Sequence, residues 1–579
     1  MQTDLFIVLF VVATSIFYML VLMSGRVGSG KDFYTSQSGV SPLARGMGLA
    51  ADWLCAATLI GLFGLISHNP QEAQWMLTGW IAGLVLLSII VAPAVYDSGQ
   101  LSLIDFIAQK FDSISLRWLM NFIVLAMGIV LLGLQMKGLG LILSRHLQLP
   151  LSAAIAIGMI LLFFYTVLSN LRAITRVQML KYCIVFCSVM VASVYIAVDA
   201  QLSSQWVFLQ SIFTNRNFDQ APALTYYSNP LTDLRFIENI FSLMVLAAGV
   251  ALLPYMLKRF QGVKLKADIR FSAIWMLVFV GVIYSSVPWM AHQAHERLYQ
   301  SINGPLQEGG AYSRMPNWLF LWEYTQELSW IDNNNDGRIQ WLIQPDNSND
   351  EPLQADFEQV DNFAFVQQNI EEMQLNQQER SLNEFMITDE IRLLLLPELF
   401  AMPNWIIALV TIGVTAALLS TASMVLISTV YTFASQPVIS VLAERHETLV
   451  VKGLALLMLI VAAGVAINLS GSLIDWFNRV LQLATATLFP AFMFALRLPR
   501  LPKAAILAGM LIGLFTSLGY SVAYEMNSLS SFWPDMLPSL SPLPMTVMWM
   551  TLNAISVLLL AWLFNLRAAS SDTKSDDTC

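Results

Sequence analysis

A carboxylate stands where hydrocarbon is expected. Asp52 lies inside GMGLAADWLCAATLIGLFG (46–64), and an ionised side chain in a membrane helix costs roughly 2.5–3.5 kcal/mol on insertion scales, so it persists mainly where it lines a pathway or is hydrogen-bonded. The surrounding Gly and Ala permit close helix packing and a locally unwound backbone whose carbonyl oxygens can ligate a hard cation. In TIGVTAALLSTASMVLISTVYTF (411–433), Thr421, Ser428 and Thr432 share one helical face, with Ser420 beside them. Such hydroxyls serve as interhelical glue or as cation ligands. GVALLPYMLKRF (249–260) brackets a break with Gly and Pro, and paired interrupted helices point to a midplane binding site. Lys137 puts an ammonium inside another apolar run. It either snorkels or pairs with a carboxylate, or it meets Asp52 or a solute carboxylate, or it adds proton coupling.

Three other motifs carry less. GRVGSGK (25–31) has Asp32 where a phosphate-binding loop needs Ser or Thr, and reads as a basic connector. HQAHE (292–296) lacks the Glu that a zinc helix places directly after its first His. DNNNDGRIQWLI (332–343) opens like a calcium loop, with Asp332, Asn334 and Asp336 at positions one, three and five, Gly337 at the turn and Arg338 at position seven. Position twelve is Ile343, so the bidentate acid is missing and a plain turn competes with a Ca2+ site. Nothing forms a catalytic constellation, and no basic arm or stripe suits nucleic acid.

The elements that must position these residues follow from composition. The 579 residues are 56% hydrophobic and 12% charged, with a mean hydropathy of +0.63, whereas soluble chains carry roughly 25% charged residues. Apolar runs of about 20 residues, the length that crosses the bilayer, number about thirteen. They are expected near 4–24, 46–67, 75–96, 118–143, 150–170, 179–199, 237–257, 271–291, 403–433, 449–469, 473–495, 502–523 and 545–566. Each must be a helix, because spanning backbone has to satisfy its own polar groups. The first lacks a positive n-region and carries Asp4, which argues for a retained span rather than a signal peptide.

With the N-terminus periplasmic, alternate loops collect Arg26, Lys31, Arg45, Lys110, Arg117, Arg172, Arg176, Lys181, Lys258, Arg259, Lys264, Lys266, Arg270, Arg497, Arg500 and Lys503. That bias places the C-terminus in the cytoplasm of a bacterial inner-membrane protein. The net charge of −9 originates in residues 293–400, where 19 Asp and Glu face five Arg, and this stretch reads as a periplasmic insert of moderate order. Cys55, Cys183, Cys187 and Cys579 imply no disulfide framework.

The ordered series of segments resembles the sodium:solute symporter family, and within it the cation:acetate branch, over roughly residues 30 to 500. The resemblance rests on KDFYTSQSGVSP (31–42), GLAADWLCAATLIG (48–61), LIDFIAQKF (103–111), QMKGLG (135–140), LRAITRVQMLKY (171–182), GVALLPYMLKRF, AALLSTAS (416–423) and ATATLFPAF (484–492). It implies an all-α polytopic membrane protein with a LeuT-like five-plus-five inverted repeat. The expected divisions are the first span and cytoplasmic loop (1–45), spans two to six (46–200), a periplasmic loop with spans seven and eight (201–292), the insert (293–402), spans nine to eleven (403–500), spans twelve and thirteen (501–566) and a tail (567–579).

Carried over residue by residue, the resemblance implies a sodium site of the Ala50, Trp53 and Ala417 carbonyls with the Ser420 and Thr421 hydroxyls, supported by Asp52. The solute pocket is expected near Asp52, Trp53, Gln135, Gly138, Gly249 and Leu253, a carboxylate being met by the N-terminal end of a broken half-helix. Tyr255, Cys55, Gln436 and Lys137 depart from the family's pattern. The expected function is sodium-coupled symport of a short monocarboxylate such as acetate. A solute sensor acting through a partner and a proton-coupled or amino-acid or sugar symporter are the alternatives, and the oligomeric state is left open.

Overall fold

The computed structural model describes residues 40–100, 102–167, 171–199, 234–261, 263, 265–304, 309–323, 325, 327–330, 332, 337–341, 384–434, 437–526 and 541–576. The expected first span at 4–24 lies outside them.

Helix α1 (Pro42–Trp53) begins where Ser41 accepts the amide of Ala44 and Pro42 supplies a first-turn residue that needs no donor. It stops at Leu54, and α2 (Ala56–His68) leaves at 72° to it. This break is tolerated because side chains take over the freed backbone groups. The Thr58 hydroxyl donates to the Trp53 carbonyl and accepts the Cys55 amide at 3.0 Å. Gln135 Oε1 accepts the Ala56 amide at 3.0 Å. The second break separates α8 (Leu234–Ala251) from α9 (Pro254–Phe260), which bend by 43°. Pro254 has no amide to continue the ladder, and Leu252 and Leu253 turn tightly onto the Gly249 and Val250 carbonyls.

The other long helices are α3 (Pro70–Asp97), α5 (Ile114–Leu147), α6 (Leu151–Val167), α7 (Leu171–Asp199) and α10 (Lys266–Asn303) in the first part of the chain. The later ones are α13 (Asn404–Ala434), α14 (Pro437–Ile467), α15 (Leu473–Arg497), α16 (Lys503–Glu525) and α17 (Pro542–Asp576). Among the described residues nine helices are long and apolar enough to cross a membrane, eleven if each bent pair is one span, and α6 is a shorter apolar helix. A short helix between spans, α4 (Leu103–Phe111), is amphipathic and capped by Ser102.

Packing fixes the site from both sides. Helix α1 lies along α10, α8 along α3, and α13 between α7 and α5. Small residues set these approaches: a Cβ on Gly83 of α3 would fall 2.6 Å from Val250 Cβ, and one on Gly413 of α13 would fall 2.1 Å from Ser188 Oγ on α7. Asn404–Phe433 is 89% buried over its most apolar window, so α13 is the interior helix of the bundle.

Beyond α10 the described insert is a small α/β layer. It comprises β1 (Gly310–Ala311), α11 (Asn317–Glu323), β2 (Leu328–Trp330), β3 (Arg338–Ile339), β4 (Phe385–Ile387) and α12 (Asp389–Leu399). Strands pair antiparallel as β1 with β3 and β2 with β4. The Asn303 side chain brackets Trp341, donating to its carbonyl at 2.6 Å and accepting its amide at 2.8 Å. Helix α12 packs on α2 and α10 rather than standing away from the membrane part. Two boundaries therefore differ from expectation: α10 runs on to Asn303, and α17 continues to Asp576 where a polar tail was expected from 567.

Candidate functional site

Asp52 sits at the last turn of α1 with no exposed surface. Its Oδ2 accepts Arg259 Nε from α9 at 2.6 Å, and its Oδ1 accepts Gln178 Nε2 from α7 at 2.7 Å and the Ser420 hydroxyl from α13 at 3.1 Å. Lys181, one turn along α7 and equally buried, lies within electrostatic reach and rests over the Tyr165 ring at 4.0 Å. One carboxylate thus ties together both broken helices, α7 and α13. A buried pair of this kind is held by its remaining hydrogen bonds as much as by Coulomb attraction.

The main chain around that carboxylate is the expected cation locus. The Thr421 hydroxyl donates to the Asp52 carbonyl at 2.9 Å, with the Leu54 carbonyl at 3.5 Å and the Ala417 carbonyl at 3.4 Å. The Ala50 carbonyl accepts the Leu54 amide in the final turn of α1. Thr421 therefore brings the Ala417, Asp52 and Leu54 carbonyls together, while the Ser420 hydroxyl turns to the Asp52 carboxylate and the Ala50 carbonyl stays in the helix ladder of α1. The Trp53 carbonyl differs: it accepts the Thr58 hydroxyl. The Asp52 and Leu54 carbonyls, which the sequence reading did not name, stand on Thr421 instead. The donor set is all neutral oxygen, since the Asp52 carboxylate is engaged by Arg259, Gln178 and Ser420.

The solute candidates divide between the two breaks. Gln135 is fully buried, caps α2 with its oxygen, and has its Nε2 donor beside the Cys55 thiol at the first break. Trp53 is enclosed by Trp80 and Phe477 at ring-centroid distances of 5.9 and 6.3 Å, and its Nε1 donates to the Tyr284 hydroxyl at 2.9 Å. Tyr284 passes the chain on to the Thr58 carbonyl. A Cβ on Gly138 would meet Leu418 at 3.2 Å and Ala56 at 3.4 Å, whereas one on Gly249 would strike the Leu481 carbonyl at 2.6 Å. Gly138 thus adjoins the first break, Gly249 serves the contact of α8 with α15, and Leu253 is buried at the second break with Ala251 and Leu252.

Three expectations need correction. Lys137 does not reach Asp52; its Nζ donates to the Leu469 carbonyl at 3.2 Å, in the turn before α15, within the field of Glu390. Arg259, not Lys137, is the cation of Asp52. Four residues counted toward the charge bias of the loops, Arg45, Lys181, Lys258 and Arg259, are buried inside the protein, so they report internal pairing rather than orientation. The Ca2+ reading has no support: no cluster of metal-binding side chains occurs among the described residues. Asn334 and Asp336 lie outside those residues, Asp332 caps the Gly337 amide at 2.9 Å, and Arg338 pairs in β3.

Arg259, Gln178 and Glu390 were not singled out from the sequence. Arg259 had a signal, since it follows the Gly and Pro of the second break, but the loop-charge reading absorbed it.

A bundle of apolar spans with two bent pairs meeting at a buried, oxygen-lined junction can hold an ion or a small solute within the membrane. Residues 33–294 match the family model described as the sodium:solute symporter family, the family that the sequence resembles. An uncharacterized symporter of Cupriavidus necator is 20% identical over an alignment covering 89% of this chain and 84% of that protein. A monocarboxylic acid transporter of Corynebacterium glutamicum is 26% identical over 48% of this chain and 52% of its own length. Among solved structures, a Na+-coupled sialic acid symporter in a substrate-bound, outward-open state superposes with a TM-score of 0.63 at 13% identity, covering 97% of this chain and 98% of that one. The last likeness shows the fold alone: a multi-pass bundle of helices.

Proposed function

We propose that this chain is a sodium-coupled symporter of a small monocarboxylate, acetate being the first candidate. It would sit in the bacterial inner membrane with its N-terminus periplasmic and its C-terminus cytoplasmic. The observation that carries the reading is the Thr421 hydroxyl, which ties α13 to the main chain of broken α1 through the Asp52 carbonyl. The Ser420 hydroxyl, Thr421 hydroxyl and the Ala50, Ala417 and Asp52 carbonyls would hold Na+, which would supply only positive charge and a clamp between the two helices. Because the same residues belong to two elements, bound Na+ would favour one relative placement of them, and a solute seated at the break would share that preference. The two bent spans support a repeat of spans two to six with spans seven to eleven, in which each broken helix opens one half.

The monocarboxylate part rests on two supports. One is the half-length likeness to the Corynebacterium glutamicum transporter. The other is the Gln135 side-chain amide, buried beside the first turn of α2 and carrying a donor suited to an acceptor oxygen.

The test is uptake of labelled acetate, pyruvate, lactate and proline into proteoliposomes, with sodium and proton gradients imposed separately. Sodium-driven accumulation of acetate is expected. Accumulation driven by protons alone, or no uptake of any of the four with sodium, overturns the reading. Thr421→Ala should raise the half-saturating Na+ concentration at least tenfold while leaving maximal uptake at saturating Na+ within about threefold, by the ordinary worth of one or two lost oxygen contacts.

A further inference from the structure

Four helices bring their ends together at one rim of the bundle: α4 packs on α5 and α15, and α16 packs on α15 and α5. Phe106 of α4 meets Phe492 of α15 at a ring-centroid distance of 5.7 Å. Lys503, the first residue of α16, donates from Nζ to the Asp112 carbonyl at 3.5 Å, in the turn between α4 and α5. Around this seam the chain places Lys110 two residues before Asp112, and Arg497 and Arg500 within six residues of Lys503. All four cations are exposed, and none of them pairs with a carboxylate among the described residues. Arg117, at the start of α5, does pair: it faces Asp105 at 3.5 Å, whose other oxygen accepts the Ser102 hydroxyl at 2.7 Å. Asp112 is the acid of the turn, which leaves four cations to one carboxylate.

Directly after this turn, α5 presents Ile114, Trp118 and Phe122, which are 76%, 41% and 62% exposed. Spaced by four, they share one face and run about 12 Å along the helix. Topology requires only that cations stay on one side of the bilayer. Four of them about one seam, with an apolar stripe starting two residues from it, match the anionic headgroup and acyl chain of a lipid.

We infer that this seam is a binding site for an anionic glycerophospholipid. Lys110, Arg497, Arg500 and Lys503 hold its head, the arginines being able to meet phosphate oxygens in pairs, and one acyl chain lies along Ile114, Trp118 and Phe122. The lipid spans the α4–α5 turn and the link between α15 and α16, so it fastens the two together. The site does not depend on which solute or coupling ion the protein takes.

The experiment follows thermal unfolding of the full-length protein in neutral detergent micelles, with phosphatidylglycerol, phosphatidylcholine or glycerol phosphate added in turn. Phosphatidylglycerol is expected to raise the midpoint with a saturable dependence. Lys110→Gln with Arg500→Gln leaves the Lys503 contact intact and should raise the half-saturating mole fraction at least about tenfold. Lys110→Arg with Arg500→Lys should stay within about threefold of the parent, as should Lys266→Gln with Arg270→Gln, which removes the same charge at the start of α10. Phosphatidylcholine acting as strongly as phosphatidylglycerol overturns the site, and so does an equal shift in the α10 variant, which would mean diffuse surface charge. Glycerol phosphate acting as strongly as the lipid overturns it in favour of a free phosphate. Should the Lys110 and Arg500 double variant aggregate, quenching of tryptophan fluorescence by chain-brominated phosphatidylglycerol decides. At low mole fraction in phosphatidylcholine nanodiscs, Trp118→Phe should lose part of the quenching seen in the parent, and an unchanged loss of fluorescence overturns the site.

Discussion

Asp52 is bound through both of its oxygens and its own carbonyl, which makes it the most heavily used residue of the junction. Truncating its partner leaves a charge buried and unpaired, a loss of about 3–5 kcal/mol in comparable pairs. Arg259→Met should therefore reduce the yield of folded protein in detergent and abolish uptake. The double variant Asp52→Asn with Arg259→Met should recover folding, read as a monodisperse elution profile, but not transport. Recovery of neither would mean that the pair does not act as a unit. Gln135 makes a second prediction at this scale. Gln135→Glu preserves the acceptor that caps Ala56 but replaces the Nε2 donor with negative charge. The half-saturating acetate concentration should rise at least tenfold and that for Na+ should change by less than threefold. An unchanged acetate dependence would remove Gln135 from the solute pocket. Asp52, Ser420 and Thr421 were legible in the sequence because an acid or a run of hydroxyls in an apolar helix is unusual by itself. Arg259 and Gln178 were not, because a basic residue near a span end and an amide inside one are ordinary until a long-range contact gives them a partner 207 and 126 residues away.

At the scale of elements, the breaks were readable and the helix that closes over them was not. Gly and Pro flank the second break, and dense small residues mark the first, so local chemistry announces both. Helix α12 has no such mark, being eleven residues inside a stretch whose overall composition is acidic. Only the packing shows that Glu390 is driven inward, where it accepts the Leu473 amide at 2.7 Å and caps α15. Burial, reinforced by the charge of Glu327 and of Asp389, lifts its carboxyl from the usual range to about 7, against the opposing pull of Lys137 and of the Leu473 amide. On the neighbouring elements His68 meets Asp389 at 3.0 Å, and Arg392 donates to Ser67 at 2.8 Å. Since docking raises this pKa, docking of α12 is favoured most below about pH 4.5, the ordinary glutamate range, and weakens as pH rises through about 7. Amide exchange in α12 should accordingly speed up between pH 5 and pH 8 beyond the intrinsic chemical rate, and Glu390→Gln should flatten that dependence. Equal protection of α12 at both pH values, once the intrinsic rate is divided out, would separate Glu390 from the docking.

For the whole molecule, hydropathy located the apolar segments in order, and twelve of the thirteen expected ones correspond to helices among the described residues. Orientation was the weaker inference, because counting basic residues assumes that they face water. Burial of Arg45, Lys181, Lys258 and Arg259 removes four from that count. It also bears on how the chain is made. Asp52 enters the bilayer 207 residues before Arg259 is synthesised, and at ordinary elongation rates that interval is roughly ten to forty seconds. During it the acid must be kept protonated, hydrated or sheltered by the insertion machinery. A nascent chain stalled before residue 259 should consequently be degraded by quality-control proteases faster than one stalled once Arg259 has entered the bilayer, since the second has its buried acid paired even before α13 supplies Ser420.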